Sequence, residues 1–429
     1  MYTIMKNLFK KIVTSIIETE ALAILKKYNP TIIAITGSVG KTSTKDAIYT
    51  VLAATSAHVR KSDKSFNSEI GVPLTILGCE NGWSDPVAWI HNIFHGLELI
   101  FFKSSYPDTL ILEVGADHEG DIRRITSWLK PHVSVVTKVS QVPVHIEFFP
   151  SREALLLEKS YLAKAVRNEG TLVLSEDDED VKNMAQGMSQ KVITFGIKHS
   201  AMVKASNETI VYEEHEGIKV PVGMSFTLHY QNESLPVFVE GLLGIQQVYP
   251  LIAATAVGVS RGIPLASIVT ALSKHVPPRG RMNILAGING STIIDDTYNS
   301  SPDALREALL TLGKIETIGK KIAVLGDMME LGKYSIEEHK KAGELARQVA
   351  ASVVTVGQRS KNMGDGIISF NTSNDALESV RALVGRGDVI LVKGSQSTRM
   401  ERIVKALLLE PEKAKDLIVR QEEEWLARK

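Results

Sequence analysis

Short apolar runs separated by longer segments of helix length recur along most of this chain. Thr31–Thr36, Thr109–Val114, Val133–Val136, Thr171–Leu174 and Lys191–Phe195 are such runs. The alternation predicts strands joined by helical crossovers, the pattern of a mostly parallel sheet in an α/β domain. Between Val203 and Glu240 the pattern changes, and Ile210–Tyr212, Val220–Val222 and Ser225–Tyr230 predict short antiparallel strands, a small β insertion. After Pro277-Pro278-Arg279-Gly280-Arg281 a second α/β series begins, with Ser291–Ile294, Lys321–Leu325, Ser352–Val356 and Asp388–Val392 as strands. Two prolines and a glycine end the preceding helix and predict a hinge there. The expected organisation is an N-terminal helix over 1–30, a central α/β domain of P-loop type over 31–280 and a Rossmann-like α/β domain over 281–429, ending in a charged, helix-favouring tail, Glu410–Lys429.

Two apolar segments do not belong to this alternation. In Met1–Lys27 the basic residues Lys6, Lys10 and Lys11 precede apolar residues at helical spacing, which predicts an amphipathic helix; no apolar core or cleavage site marks a signal peptide. Val87–Phe102 is the most apolar stretch, but His91, Asn92, His95 and Glu98 interrupt it and it is too short to span a bilayer. It predicts a buried or interface helix, with peripheral membrane contact as the other reading. Composition adds exclusions. Lys+Arg and Asp+Glu both number 49, and no basic stripe points to nucleic acid. Cys79 is the only cysteine, so no intrachain disulfide forms and a reducing, cytoplasmic setting is expected.

Chemistry first shows in Thr36-Gly37-Ser38-Val39-Gly40-Lys41-Thr42-Ser43, at the end of an apolar run and the start of a helix-compatible stretch. Glycines let successive N–H groups turn toward phosphate oxygens, Lys41 adds positive charge and Thr42 offers a hydroxyl to Mg²⁺. The spacing is T-G-x-x-G-K-T-S, with Ile35 where the common phosphate loop has glycine. A second cluster, Leu112 to Ile122, puts Glu113 at the C-terminal end of a strand, where parallel sheets bind ligands and where a carboxylate can hold a cation. His145 and Lys159, fourteen positions apart, form a third. Taken alone, they read as a surface or satisfied histidine and a solvated lysine.

Together these segments resemble the Mur ligases. The matching blocks are ITGSVGKTSTK (35–45), FNSEIGVPLTIL (66–77), LEVGADHEGDI (112–122), HIEFFPSREALLLEKS (145–160), RGRM (279–282), IDDTYNSSPDALREAL (294–309), AVLGDMMELGKYSIEEH (323–339) and LVKGSQS (391–397). Within the family, the block around Gly326-Asp327-Met328 is most like the branch that adds D-alanyl-D-alanine to a muramyl tripeptide in peptidoglycan synthesis. The resemblance implies an ATP-dependent carboxylate–amine ligase, with small peptide substrates, that works through an acyl phosphate and releases ADP. It gives Gly37, Ser38, Val39, Gly40, Lys41, Thr42 and Ser43 to the ATP phosphates, Gln247, Arg281 and Asp296 to the rest of ATP, and Asn67, Tyr298, Asn299 and Lys393 to the substrate. Thr42 and Glu113 would serve one Mg²⁺, and His145 with a carbamylated Lys159 a second. Lys41, Glu113, His145 and Lys159 are then the catalytic set.

Departures from the family pattern accompany the match. Lys138 stands for an asparagine before a longer loop to His145, Gln246-Gln247 for a His-Asn pair near the adenine, Asp117 and Ser301 for asparagines. None removes a phosphate or metal group. The phosphate loop also begins sooner than in relatives that carry a separate UDP-binding domain, so that domain is expected to be missing or much shortened. Two alternatives therefore stand beside the muramyl substrate: a similar ligase for a carboxylate without UDP, and a nucleotide-binding regulatory protein without turnover. The oligomeric state is left open by the sequence, a monomer included.

Overall fold

The computed structural model describes residues 2–427 except 57, 64, 65, 84, 199 and 216, and for residues 2–11 the backbone alone. The expected Lys6, Lys10 and Lys11 side chains of the N-terminal helix lie outside the described residues. The chain forms two compact units: Met1–Val139, Glu153–Lys204 and Pro250–Ala271 make the first, and Ser140–Arg152, Ala205–Tyr249 and Leu272–Lys429 the second.

The first unit is built on six parallel strands: β1 (Thr31–Thr36), β2 (Val59–Lys61), β3 (Thr109–Glu113), β4 (Val133–Val136), β5 (Thr171–Ser175) and β6 (Lys191–Gly196), in the order β2-β3-β1-β4-β5-β6. β1, β3, β4 and β5 are buried almost throughout, which is why they read as continuous apolar runs. β2 escapes the same reading because it is three residues long and half-exposed at the sheet edge. The helices are α1 (Tyr2–Tyr28), α2 (Lys41–Ala53), α3 (Gly71–Leu77), α4 (Pro86–Phe101), α5 (Asp121–Trp128) and α6 (Arg152–Lys164). β1 lies inside the sheet between β3 and β4, so its C-terminal end opens into the start of α2 with neighbours on both sides.

The second unit contains long antiparallel strands rather than the short ones expected. β7 (Val203–His215) follows β6, and β8 (Ile218–Tyr230) and β9 (Glu233–Glu240) pair from Tyr230–Glu233 to Gly223–Glu240. One face of these strands is solvated, and its polar residues broke the apolar signal into fragments. The C-terminal sheet follows: β10 (Asn283–Ala286), β11 (Thr292–Asp296), β12 (Lys321–Gly326), β13 (Ser352–Val356), β14 (Ile368–Phe370) and β15 (Val389–Lys393), in the order β10-β11-β15-β12-β13-β14. All pair in parallel except β10. Ile293, Val324, Ile390 and Val392 share its apolar core with Val380, Ile403 and Leu407 of the covering helices.

The C-terminal segment differs from expectation. The tail after Glu410 is not a helix but three single turns, Pro411–Lys413, Ala414–Leu417 and Glu423–Leu426, with Ile418 and Arg420 buried between them. Arg420 is drawn inward by partners described below, and its φ of 59° breaks any helical path. α4 buries only Trp89, Asn92, Gly96 and Leu99, leaving its opposite face exposed. No described helix is long and apolar enough to cross a membrane.

Candidate active site

In the first unit the site grows from the turn between β1 and α2. Gly37 has φ 146°, and a Cβ there would overlap the Thr137 hydroxyl, so only glycine lets the chain pass. Thr137 Oγ1 in turn donates to the carbonyls of Thr36 (3.2 Å) and Val39 (2.8 Å), locking the loop. Gly40, at φ 86°, turns the chain into α2, whose first-turn amides have no partner within the helix. Not every expected phosphate donor faces outward. The N–H groups of Ser38 and Val39 donate to the Lys138 carbonyl at 2.8 and 3.4 Å, which leaves the α2 end, Lys41 to Ser43, as the anion-facing part.

Glu113, at the end of β3, is held from three sides. Thr42 Oγ1 donates to its Oε2 at 3.1 Å and Asn67 Nδ2 to its Oε1 at 3.2 Å, while the buried Lys45 ammonium stands 3.8 Å from Oε2. Its own N–H donates to Ser62 Oγ at 3.1 Å. These partners fix the direction of the buried carboxylate. Lys45 was not singled out from sequence; its position one helical turn beyond Lys41 was the available signal.

Lys41 and Lys159 converge on one oxygen: both ammonium nitrogens lie on the Gly37 carbonyl, at 2.9 and 3.1 Å. Burial of Lys159 on α6, reinforced by the charge of Lys41, pushes its pKa down to about 7, against weaker opposing pulls from Glu158 and Asp117. Glu158 accepts the N–H groups of Gly120, Ile122 and Arg123 at 3.0, 2.6 and 3.0 Å, tying α6 to the start of α5 and fixing where Lys159 stands.

The second unit gathers another group. Asp296 ends β11 and Lys393 ends the adjacent β15; their buried side chains pair at 2.6 Å, and Lys393 also donates to the Asn299 carbonyl at 3.0 Å. Burial lowers the Lys393 pKa, with Asp296 opposing. The Arg281 guanidinium stacks over the Tyr298 ring at 4.2 Å. Behind them Arg420 donates to the carbonyls of Thr297 (3.0 Å) and Tyr298 (2.5 Å) and pairs with buried Glu401 at 3.3 Å, which Arg399 approaches to 2.6 Å. This clamp on the 297–299 turn was hidden from sequence reading, because nothing local marks an arginine in a charged tail as buried.

His145, at φ 72°, pairs through Nδ1 with Glu330 at 2.6 Å, and this hydrogen bond holds the Glu330 pKa below the usual carboxylate range. Gln247 is buried in the first turn of the helix Ile245–Ser260. The structure thus brings Lys41, Thr42, Asn67, Glu113 and Lys159 together in one unit, and Arg281 with Tyr298, and Asp296 with Asn299 and Lys393, in the other.

Known proteins resemble this chain over most of its length. Residues 35–89 and 92–258 match the family model described as Mur ligase middle domain, and residues 280–396 the one described as Mur ligase, glutamate ligase domain. The UDP-N-acetylmuramoyl-tripeptide–D-alanyl-D-alanine ligase of Mycobacterium leprae is 32% identical over 406 residues, covering 88% of this chain and 73% of that protein. The enzyme of the same name from Bacillus subtilis is 27% identical, covering 91% and 79%. The crystal structure of MurF ligase from Thermotoga maritima in complex with ADP superposes with a TM-score of 0.76 at 25% identity, over 94% of this chain and 84% of that one.

Proposed function

This chain belongs to the Mur ligase family and is an ATP-dependent, ADP-forming ligase, and from that premise we propose that it joins D-alanyl-D-alanine to a muramyl tripeptide in peptidoglycan synthesis, in the cytoplasm. The observation that carries the reading is the fixed carboxylate of Glu113, aligned by Thr42 and Asn67 beside Lys41 at the mouth of the phosphate loop. In the first half-reaction a substrate carboxylate oxygen bonds to the γ-phosphorus of ATP and the bond to the β-bridging oxygen breaks, giving an acyl phosphate and ADP. In the second, the amine nitrogen of the dipeptide bonds to the acyl carbon, phosphate leaves, and the nitrogen loses a proton. Lys41 and the α2 amides oppose the charge that builds on the phosphoryl oxygens, fixed before the reaction begins.

Thr42 and Glu113 offer two hard oxygens 3.1 Å apart, and among the described residues no group of three or more His, Cys, Asp and Glu forms a metal cluster. That donor set fits Mg²⁺, which takes few protein ligands and completes its shell with phosphate and water. Bound there, Mg²⁺ neutralises charge on the triphosphate. We further propose that Lys159 is carbamylated: a buried amine with a pKa near 7 is substantially neutral at physiological pH and able to attack CO₂. The unmodified amine is no Mg²⁺ ligand, so a metal role for Lys159 depends on that modification, and the metal roles of His145 and Lys159 come from the family resemblance. Arg281, Asp296 and Gln247 are assigned to ATP, and Tyr298, Asn299 and Lys393 to the peptide substrate, by the family resemblance.

The test is ADP and phosphate release with UDP-muramyl tripeptide and D-alanyl-D-alanine, beside the same peptide without UDP. Turnover with the UDP form supports the reading. Turnover confined to the form without UDP makes the acceptor a carboxylate that carries no UDP, and none with either, while ATP still binds, favours the regulatory alternative.

A further inference from the structure

One face of the first unit has nothing to do with ATP. α4 turns Trp89, Asn92, Gly96 and Leu99 inward, and its end is pinned by Lys27, whose ammonium donates to the carbonyls of Leu99, Ile100 and Phe102 at 2.8, 3.1 and 2.5 Å. On the outward face Val87, Ile90, Phe94, Leu97 and Phe101 are 71, 54, 66, 37 and 75% exposed. Their steps along the chain are three, four, three and four, the heptad repeat of a coiled-coil seam over two heptads. We propose that this seam pairs with the same helix of a second copy, antiparallel, to form a two-fold dimer.

The flanks select both orientation and occupant. With Val87, Phe94 and Phe101 as first core positions and Ile90 and Leu97 as the others, one flank carries His91 and Glu98 and the other Ile93 and Ile100. In an antiparallel pair like flanks meet. Phe94 then packs on the partner's Leu97 and Ile90 on the partner's Phe101, while the Glu98 carboxylate accepts from the imidazole of the partner's His91 and Ile93 covers the partner's Ile100. A parallel pair would set Glu98 against the partner's Ile93, stranding a carboxylate on apolar surface. A helix lying in a bilayer needs a broad apolar face with cationic flanks. Here the flank carries a carboxylate, which His95 already approaches to 3.6 Å.

The area is adequate but small. The exposed parts of the five seam side chains come to roughly 500 Å² per copy, so pairing removes about 1,000 Å², the lower limit of specific interfaces. An interface at that limit is expected to be weak and concentration-dependent. A two-fold contact is also self-complementary by construction, so it closes at two copies.

Sedimentation velocity of the full chain between ~1 and ~100 µM should show a monomer passing to a dimer. Phe94→Glu should remain monomeric throughout with ligase turnover unchanged, since Phe94 is exposed and remote in sequence from every site residue. In a Cys79→Ser background, a mixture of His91→Cys and Glu98→Cys chains should cross-link under mild oxidation while neither chain alone does. A monomer at every concentration, a dimer that survives Phe94→Glu, or cross-linking of either single variant by itself overturns the proposal. So does a chain that stays monomeric but sediments with phosphatidylglycerol vesicles through the same face, an outcome that assigns α4 to a lipid surface.

Discussion

Each compact unit buries a lysine among its candidate site residues, Lys159 in the first and Lys393 in the second, and the two are held in opposite ways. Lys393 meets a carboxylate: Asp296 lies 2.6 Å away on the neighbouring strand, and the Asn299 carbonyl takes a second proton. Lys159 meets the neutral carbonyl of Gly37, and the largest charge effect on it is the like charge of Lys41. Burial lowers both pKa values, but only Lys393 has a counter-ion in contact to oppose the shift. The same side chain is thus a fixed cation in one place and a potential nucleophile in the other, and the difference comes from what stands within hydrogen-bond reach rather than from depth.

The strongest way to break the comparison is to remove the cation from the paired site. Lys393→Met leaves Asp296 buried and charged with no partner, and should cost about 3–5 kcal/mol of unfolding free energy. Adding Asp296→Leu should return most of that loss, because the stranded carboxylate disappears. Denaturant midpoints at constant slope measure both. Lys159→Met should behave in the reverse sense, stabilising or neutral at pH 7, since it replaces a poorly solvated amine by an apolar chain of similar length. Equal losses at both positions would show that the two lysines are held alike.

Activity separates them next. Lys159→Ala should lose at least ~100-fold in kcat, a loss of about 2.7 kcal/mol of transition-state stabilisation, with the fold intact by circular dichroism. Added formate or acetate should restore part of it by placing a carboxylate where the carbamate stood, whereas the Lys393 variant should not respond. Near wild-type turnover by Lys159→Ala would remove this residue from the chemistry.

The pH dependence of stability is a smaller effect with a definite sign. The Lys159 pKa is about 7 when folded against 10.5 as the reference value. Between those values the unfolded chain carries the extra proton, so this residue's contribution to stability rises with pH through the window and is flat below it. In CO₂-free buffer, raising the pH from about 7 to 8.5 should gain wild type on the order of 2 kcal/mol relative to Lys159→Met. A difference that falls with pH would mean the folded state keeps the ammonium.

The comparison also explains what was legible in the sequence. The parallel strands were visible because burial on both faces leaves a run such as Thr31–Thr36 no polar position, and the phosphate loop because glycine and lysine must stand together there. The half-solvated hairpin lost its length, and β2 and β14 were too short and exposed to register. Lys41, Thr42 and Glu113 carry their chemistry in local motifs. The depressed pKa of Lys159 does not, because it depends on burial and on the charge of Lys41, more than a hundred residues away in the chain. Arg420 is the extreme case, a residue of a charged tail whose partners, Glu401 and the 297–298 carbonyls, are contiguous only in space.

The finest distinction concerns how each site holds its carboxylate. Asp296 is fixed by a full charge, whereas Glu113 is aimed by the neutral amide of Asn67 at 3.2 Å and the hydroxyl of Thr42 at 3.1 Å, with the Lys45 ammonium farther off at 3.8 Å. Neutral donors orient a carboxylate while leaving its charge available to a cation, and removing such an outer partner typically weakens metal binding by 10- to 100-fold. Asn67→Ala should therefore raise the Mg²⁺ concentration for half-maximal turnover by about 10-fold while kcat at saturating Mg²⁺ changes little. Asn67→Gln, which keeps the amide on a longer arm, should recover only part of the affinity. If Asn67→Ala instead lowered kcat with the Mg²⁺ requirement unchanged, the amide would act on the substrate rather than through Glu113.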